Sequence, residues 1–277
     1  MIPSTARTTG CEVPGPGRLR AEDITIGYDD RIISESLSLT IPDGAFTVIV
    51  GPNACGKSTL LRALSRLLTP KSGNVVLDGR SIHSYPAKEV ARRLGLLPQT
   101  SVAPDGIRVA ELVARGRFPR QSMFRQWTAA DEAAVLEAMT ATGVIDLSAR
   151  LVDELSGGQR QRVWVAMVLA QETPLVLLDE PTTFLDIAHQ IELLDLCSDL
   201  NRHRDRTLVA VLHDLNQAFR YADHLVAMKD GRIVAQGAPG DIVDAALIEE
   251  VFGLRCRIID DPESQTPLVI PLRRGAP

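Results

Sequence analysis

The segment that most restricts the fold of this chain runs from Gly51 to Ser58, reads GPNACGKS and fits the pattern GxxxxGK[ST]. It follows an apolar run, Phe46 to Val50, and opens a segment in which leucines recur on one helical face from Lys57 to about Leu68. Backbone N–H groups of such a loop, and of the helix behind it, can surround an anion. Strand, glycine-rich loop and helix in this order therefore predict a nucleotide-phosphate site in an α/β domain.

The side chains of this loop have separate expected tasks. Lys57 would bridge the β- and γ-phosphates of ATP, and the Ser58 hydroxyl would coordinate Mg²⁺. A chance match is the alternative, since roughly one random chain of this length in a hundred would contain such a string at average glycine usage. The flanking strand and helix argue against chance. The candidate nucleotide-binding residues here are Gly51, Pro52, Asn53, Ala54, Cys55, Gly56, Lys57, Ser58 and Thr59.

Apolar runs alternate with helical patterns along most of the chain. Leu19 to Ile41 has the alternation of half-buried antiparallel strands. Short runs at Leu175 to Leu178, Thr207 to Leu212 and Leu225 to Met228 are typical of a parallel sheet that is covered on both faces. Residues 100 to 170 carry helical patterns without a convincing strand, which indicates a helical insertion.

These patterns predict an α/β fold with a P-loop NTPase core and an inserted all-helical subdomain. The core sheet is expected to be mixed and mainly parallel, with an antiparallel β edge. Residues 1–17 are rich in Pro, Gly, Ser and Thr and have no signal-peptide pattern, so we expect a disordered arm there. The expected divisions are an arm at 1–17, a domain at 18–259 with its core at 18–98 and 164–259 and its helical subdomain at 99–163, and a tail at 260–277.

Composition excludes several classes of protein. Lys plus Arg is 30 and Asp plus Glu is 35, a net charge of −5, so no basic excess supports nucleic-acid binding. No run approaches the ~18 apolar residues of a spanning helix, so any membrane role should be peripheral. The four cysteines are far apart, which argues against a zinc ribbon, a redox motif or a disulfide framework and favours a reducing cytoplasm.

Two carboxylates follow the apolar run Leu175 to Leu178, at the expected carboxyl edge of the parallel sheet. Asp179 would hold Mg²⁺ through a water molecule, and Glu180 would orient the attacking water as general base. A solvated strand end is the alternative reading of Asp-Glu. Their place downstream of a phosphate-binding loop favours the catalytic interpretation.

The segment Leu155 to Gln159, LSGGQ, has both a structural and a functional explanation. Ser156 and Gln159 form a capping-box pattern that would simply begin a helix. That explanation leaves out the glycine pair at 157–158, which weakens a helix by about 1 kcal/mol per residue. It also leaves out Arg160 and Arg162, cations that oppose the dipole of a first helical turn unless an anion binds there. A docked phosphate accounts for both.

LSGGQ between a phosphate-binding loop and an LLDE strand end resembles the ATPase subunits of ATP-binding cassette transporters, over about Leu19 to Ile259. The resemblance implies a dimer in which the signature segment of one copy caps the γ-phosphate that the other copy holds. Its implied nucleotide contacts are Ser156, Gly157, Gly158 and Gln159. Asp186 matches the loop that the family places at the dimer interface.

Three further positions match the family pattern. Tyr28 falls where the family stacks an aromatic ring on adenine, although an ordinary strand tyrosine is the alternative. Gln99 matches the glutamine that contacts Mg²⁺ and joins the core to the helical subdomain. His213 matches the histidine placed against the γ-phosphate; a lone histidine is usually structural, but this one follows a strand run and precedes Asp214, a possible helix cap. Glu180, His213 and Gln99 are thus the expected catalytic residues.

The chain further resembles the ATPases of bacterial iron-siderophore importers, especially the ferric-enterobactin type. The implied cofactors are ATP and Mg²⁺. The implied partners are a second copy of the chain, a membrane permease of two identical or two different subunits, and an extracytoplasmic siderophore-binding protein. The implied location is the cytoplasmic face of the inner membrane. The matching strings are Ala166 to Glu172, Glu180 to Gln190, His213 to Ala218 and Gly253 to Pro262.

Other readings remain open. The same subunit could serve a haem, cobalamin, zinc or different siderophore importer, because it need not touch the cargo. A DNA-repair or chromosome ATPase would need a long coiled coil between the two motifs, and no sustained heptads occur there. A ribosome-associated relative would carry two cassettes and a more basic surface, whereas this chain has one phosphate-binding loop and a net charge of −5.

One residue of the loop at 51–58 departs from the family pattern, and another lies at a position that varies within the family. Ala54 replaces the usual glycine, and it would cost about 1 kcal/mol if that position needs a positive φ. Cys55 varies in the family and is not a catalytic candidate. Because a helix N-terminus lowers a thiol pKa, we expect Cys55 to be open to alkylation, with ATP as a protectant.

Overall fold

A computed structural model describes residues 17–121 and 127–273. Apart from Gly17, the predicted arm lies outside the described residues. The strands are β1 (Leu19–Tyr28), β2 (Arg31–Ile41), β3 (Phe46–Val50), β4 (Ser72–Leu77), β5 (Arg80–Ser81), β6 (Leu94–Leu97), β7 (Leu175–Asp179), β8 (Thr207–Val211), β9 (His224–Lys229), β10 (Arg232–Gly237), β11 (Cys256–Asp260) and β12 (Pro267–Pro271). The α-helices are α1 (Lys57–Leu64), α2 (Ala87–Arg93), α3 (Val109–Ala114), α4 (Ala129–Ala141), α5 (Gly157–Ala170), α6 (Ile187–Arg204), α7 (Leu215–Tyr221), α8 (Pro239–Ile242) and α9 (Ala245–Phe252).

The central sheet has the strand order β10-β9-β3-β8-β7-β6. Its strands pair in parallel from β9 to β6, and only β10 runs antiparallel, on β9. A separate antiparallel sheet has the strand order β2-β1-β4-β5. Its strands β1 and β2 lie within Leu19 to Ile41, where alternating apolar residues predicted antiparallel strands. The predicted fold class, a mainly parallel core sheet with antiparallel strands beside it, is confirmed.

Side chains of the parallel strands alternate between two apolar layers. Ile49 and Val209 face the layer that α1 and the antiparallel sheet share. Their neighbours Val48 and Ala210 face the opposite layer, with the helices that follow the insertion. Because both faces are covered, every residue of β3, β7 and β8 is buried, which explains their continuous apolar sequences.

Several element boundaries differ from the sequence expectation. Helix α1 ends at Leu64, not near Leu68, because Arg66 takes a left-handed φ of 68°, which cannot continue a helix. Strand β6 is only four residues long, too short for a recognisable period, and its pairing with β7 defines it.

Two elements extend across the divisions expected between domain, subdomain and tail. Strands β11 and β12 pair with each other across the boundary expected at residue 259. Helix α5 likewise runs through the boundary expected at 163/164.

The helical region packs α3 and α4 against α5 around a buried arginine. Arg117 is 3% exposed and its Nε lies 2.9 Å from Oδ1 of Asp131 on α4. Its Nη1 donates to the carbonyl of Ala170 at 2.7 Å and to Glu172 at 2.6 Å. A buried guanidinium is tolerated only when its donors are satisfied in this way, so Arg117 ties together the helices that support the signature segment. Across residues 17–121 and 127–273, no helix is long and apolar enough to cross a bilayer.

Candidate functional site

The loop before α1 has the backbone geometry of an anion cradle. Gly51 has a φ of 157° and Gly56 one of 107°. A Cβ on Gly51 would lie 2.3 Å from the carbonyl oxygen of Met228, so only glycine fits there. Within residues 17–121 and 127–273, no side chain caps the first turn of α1, so its N–H groups are available to a ligand. Lys57 is 5% exposed, and its side chain lies over the loop. Its Nζ donates to the carbonyl of Gly51 at 2.8 Å and to that of Pro52 at 2.9 Å.

Ser58 and Asp179 meet at the end of the central sheet. The Ser58 hydroxyl donates to Oδ1 of Asp179 at 2.9 Å, and Asp179 is 3% exposed. Burial raises the pKa of Asp179 above its usual value, with the Ser58 hydrogen bond acting in the opposite direction. A buried carboxylate beside a hydroxyl is a hard oxygen donor set that suits Mg²⁺, whose charge would offset the cost of burial.

Glu180 and His213 form the second polar pair of the site. Oε1 of Glu180 lies 2.7 Å from Nε2 of His213. Strands β7 and β8 are parallel neighbours, so the residues after them emerge side by side at the carboxyl edge. Gln99 follows β6, the next strand outward, and reaches the same cleft.

A cleft of about 790 Å³ collects most of the predicted residues. At one end lies Tyr28, which is 41% exposed and whose hydroxyl accepts a hydrogen bond from Nη1 of Arg62 at 3.1 Å. Arg31, Ile33 and Thr183 also line it and were not predicted. Arg31 reaches the cleft because it pairs with Tyr28 across the β1–β2 turn, a register that only the structure shows. The predicted residues on its wall are Tyr28, Asn53, Ala54, Gly56, Lys57, Ser58, Thr59, Gln99, Glu180 and His213.

The signature residues lie in a different depression. It has a volume of about 540 Å³, and none of the described residues lines both it and the nucleotide cleft. Ser156 caps α5 by accepting from the Gln159 N–H at 3.3 Å, and the Gln159 side chain accepts from the Ser156 N–H at 3.1 Å. The capping box therefore exists, and the segment still presents its glycines on the surface. A single chain thus does not bring the signature segment to the loop at 51–58.

Comparison with known proteins shows the family to which the chain belongs. Residues 34–183, which include the loop at 51–58 and the signature segment, match the family model described as ABC transporter. The chain belongs to the ABC transporter family. It is an ATPase subunit of this family, as the loop at 51–58, the LLDE strand end and the signature segment predicted.

Two kinds of ABC transporter relative extend the match beyond the family model. The ferric enterobactin transport ATP-binding protein FepC of Escherichia coli is 62% identical over 260 residues, 94% of this chain and 96% of that protein. A metal-chelate type ABC transporter in an inward-facing conformation aligns with a TM-score of 0.78 at 27% identity, covering 94% of this chain and 98% of that one. A dimeric bacterial ABC transporter cassette aligns with a TM-score of 0.71 at 26% identity, covering 79% and 98%.

Two residues of the loop at 51–58 are constrained by the structure of this ABC subunit. Ala54 has a φ of 62°, the left-handed conformation in which alanine is strained. Cys55 is 5% exposed, and burial raises the pKa of its thiol despite the nearby Lys57. The expectation of a lowered thiol pKa is therefore wrong, because the loss of solvation outweighs the cation and the helix N-terminus.

Proposed function

We propose that this chain energises the import of ferric siderophores, as a pair of copies that share two ATP sites beneath a membrane permease. The inference that two copies act as a pair rests on the separation of the signature depression from the nucleotide cleft. The 62% identity to a ferric enterobactin transport protein, over nearly the whole of both chains, supports the cargo. We extend the proposal to an extracytoplasmic siderophore-binding protein and to a place at the cytoplasmic face of the inner membrane, and the same likeness supports both.

The cleft divides ATP binding among three groups of residues. The ring of Tyr28 stacks on adenine at the open end, where its partly exposed face is available. Residues 51–59 bind the phosphates through backbone N–H groups and Lys57, which exchanges its carbonyl partners for phosphate oxygens. Ser58, Asp179 and Gln99 would hold Mg²⁺, and the bound ion would supply positive charge against the phosphates.

Glu180 acts as the general base in ATP hydrolysis. It stands at the edge of the cleft beside Asp179 and orients a water molecule towards the γ-phosphate. His213, 2.7 Å from the Glu180 carboxylate, holds that carboxylate in place and can contact the γ-phosphate itself. Neither residue bonds covalently to the nucleotide, so the chemistry is positioning and charge stabilisation.

The second copy completes each site with Ser156, Gly157, Gly158 and Gln159. In one chain these residues line a depression separate from the cleft, and on that ground we place their contact with a γ-phosphate at an interface between two copies. The first turn of α5 then adds N–H donors and a positive dipole end to the phosphate. Hydrolysis removes the group that both copies hold, and the pair opens.

Mixed pairs test the shared site. Lys57→Ala and Gly157→Asp should each inactivate a homogeneous preparation, the first by losing the phosphate cation and the second by placing an anion against the phosphate. A side chain on Gly157 would meet Cβ of Phe184 at 3.4 Å, an ordinary contact, so this variant should fold. A one-to-one mixture should regain ATPase activity, because mixed pairs contain one site with both halves intact. Activity no higher than in either parent would contradict the shared site.

Uptake of radioactive iron tests the cargo. A deletion strain that carries the permease should recover uptake of ferric enterobactin when it receives the wild-type chain, and should not recover it with Glu180→Gln. Haem and cobalamin uptake measured in the same strains should remain unchanged. Recovery of haem or cobalamin uptake without ferric-siderophore uptake would show that the imported molecule is haem or cobalamin instead.

A further inference from the structure

The loop of residues 180–186, which runs from Glu180 at the end of β7 to the Asp186 cap of α6, has a backbone that needs support. Glu180 has a φ of 54° and Phe184 one of 69°, both left-handed and neither glycine. Two turns within the loop help, in which the N–H of Thr183 donates to the Glu180 carbonyl and that of Leu185 to the Thr182 carbonyl, each at 3.2 Å. Strained conformations of this kind persist only when the surroundings hold them.

Two side-chain amides bind the loop directly, and a third holds one of these two in place. Nε2 of Gln161 donates to the carbonyl of Pro181 at 3.0 Å. Nε2 of Gln190 donates to the carbonyl of Leu185 at 3.0 Å. The same Gln190 accepts, through Oε1, from Nε2 of Gln217 at 2.9 Å. The amides thus fasten the loop near both of its ends, and one is itself fastened to a third helix.

Each glutamine stands on a helix that begins at a different part of the site. Gln161 lies on α5, four residues after its first residue, next to the signature segment. Gln190 lies in the first turn of α6, which Asp186 caps. Gln217 lies in the first turn of α7, which begins two residues after His213. The 180–186 loop is therefore connected both to the signature helix and to the helix of the histidine that contacts the base.

We propose that Gln161, Gln190 and Gln217 are positioning residues, which hold the 180–186 loop so that Glu180 stays aimed at His213 and at the attacking water. The inference rests on the proposed function, because it takes Glu180 and His213 to act in ATP hydrolysis. None of the three glutamines lines the nucleotide cleft within the described parts of the chain. Their loss should therefore lower kcat and leave ATP binding intact.

A double-mutant cycle on Gln190 and Gln217 tests the chain of amides. Methionine matches glutamine in length and carries no amide, so Gln190→Met and Gln217→Met remove the hydrogen bonds with little change in volume. Each single variant should lower kcat about tenfold, with KM for ATP changed less than about twofold. The double variant should also lose about tenfold, because both substitutions break the same chain; independent effects would multiply to about a hundredfold.

Gln171→Met is the matched control. Nε2 of Gln171 also donates to backbone carbonyls, those of Ala91 and Leu94, but far from the 180–186 loop. It should lower the melting temperature about as much as Gln190→Met and keep full kcat. Full kcat in Gln190→Met, multiplied losses in the double variant, or equal kcat losses in the control would each overturn the inference.

Glu180→Gln, assayed beside these variants, separates the two proposals. If Glu180→Gln keeps its turnover, the assigned base is wrong and the proposed function fails. If Glu180→Gln is inactive while the glutamine variants turn over ATP at the full rate, only the positioning role fails.

Discussion

Nε2 of His213 and Oε1 of Glu180 lie 2.7 Å apart at the ends of two neighbouring parallel strands. The glutamate is the more enclosed partner, with 12% of its side chain exposed against 44% for the histidine. Since β7 and β8 form part of the buried central sheet, the pair has a rigid base, and its open side faces the nucleotide cleft. This arrangement suits a carboxylate that must hold a water molecule in line with a phosphate.

Replacement of Glu180 by glutamine tests the base directly. The amide keeps the size of the side chain and loses its basicity, so turnover should fall by orders of magnitude while ATP still binds. Steady-state ATPase rates and the affinity for a fluorescent ATP analogue measure the two effects. Glu192→Gln, at an exposed position on α6, should leave both unchanged. Substantial hydrolysis by Glu180→Gln would show that another group activates the water.

Replacement of Ala54 by glycine should stabilise the folded chain. The φ of 62° at this position strains alanine in the folded state, and glycine relieves that strain by about 1 kcal/mol. Urea unfolding measures the change in the free energy of unfolding. As a control, Ala133→Gly in the exposed interior of α4 should lower that free energy by about 1 kcal/mol. An Ala54→Gly variant that is less stable than the wild type would contradict the role of backbone strain.

Alkylation of Cys55 should be slow at neutral pH. Burial raises the pKa of its thiol, so the reactive thiolate is scarce at pH 7 and becomes more abundant as the pH rises. Cys197, whose pKa burial raises to about 12, should react more slowly still. Residue-resolved mass spectrometry after iodoacetamide treatment, with and without ATP, measures both rates. A Cys55 rate at pH 7 equal to that in urea, or one that ATP does not reduce, would contradict this account.

The Arg220–Asp261 pair should make stability depend on acid pH. Nη2 of Arg220 lies 2.6 Å from Oδ2 of Asp261, and this hydrogen bond lowers the pKa of Asp261 to about 2. In the unfolded chain the same carboxyl has a pKa of ~3.9. Because the folded value is the lower one, the stabilisation is complete above the unfolded pKa and is lost as the pH falls towards about 2.

Urea unfolding from pH 7 to pH 2 measures that dependence. Asp261→Asn should be less stable than the wild type at pH 7, and the difference should shrink as the pH falls through the window from about 4 to about 2. Asp260→Asn, which changes an exposed neighbour on β11, should follow the wild-type profile. A constant difference between wild type and Asp261→Asn at every pH would show that the charge of Asp261 does not stabilise the fold.

Local sequence patterns were sufficient for the main elements of the fold. The apolar runs at β7, β8 and β9 predicted a parallel sheet buried on both faces, and the run Phe46 to Val50 with the glycine-rich segment behind it predicted β3, the loop and α1 in that order. Strand β6 and the β11–β12 hairpin were not recognised, because short strands have no period of their own and depend on partners distant in sequence.

Residue types and their spacing determined the family, the phosphate-binding loop and the candidate carboxylates, because each depends on groups within a few residues of one another. Only the tertiary structure decided that Ser58 meets Asp179, that Glu180 meets His213, and that the signature segment lines a depression separate from the nucleotide cleft. It also reversed the expected thiol pKa of Cys55. Strand order, burial and the direction of side chains from separate elements control these features, and no local period in the sequence encodes them.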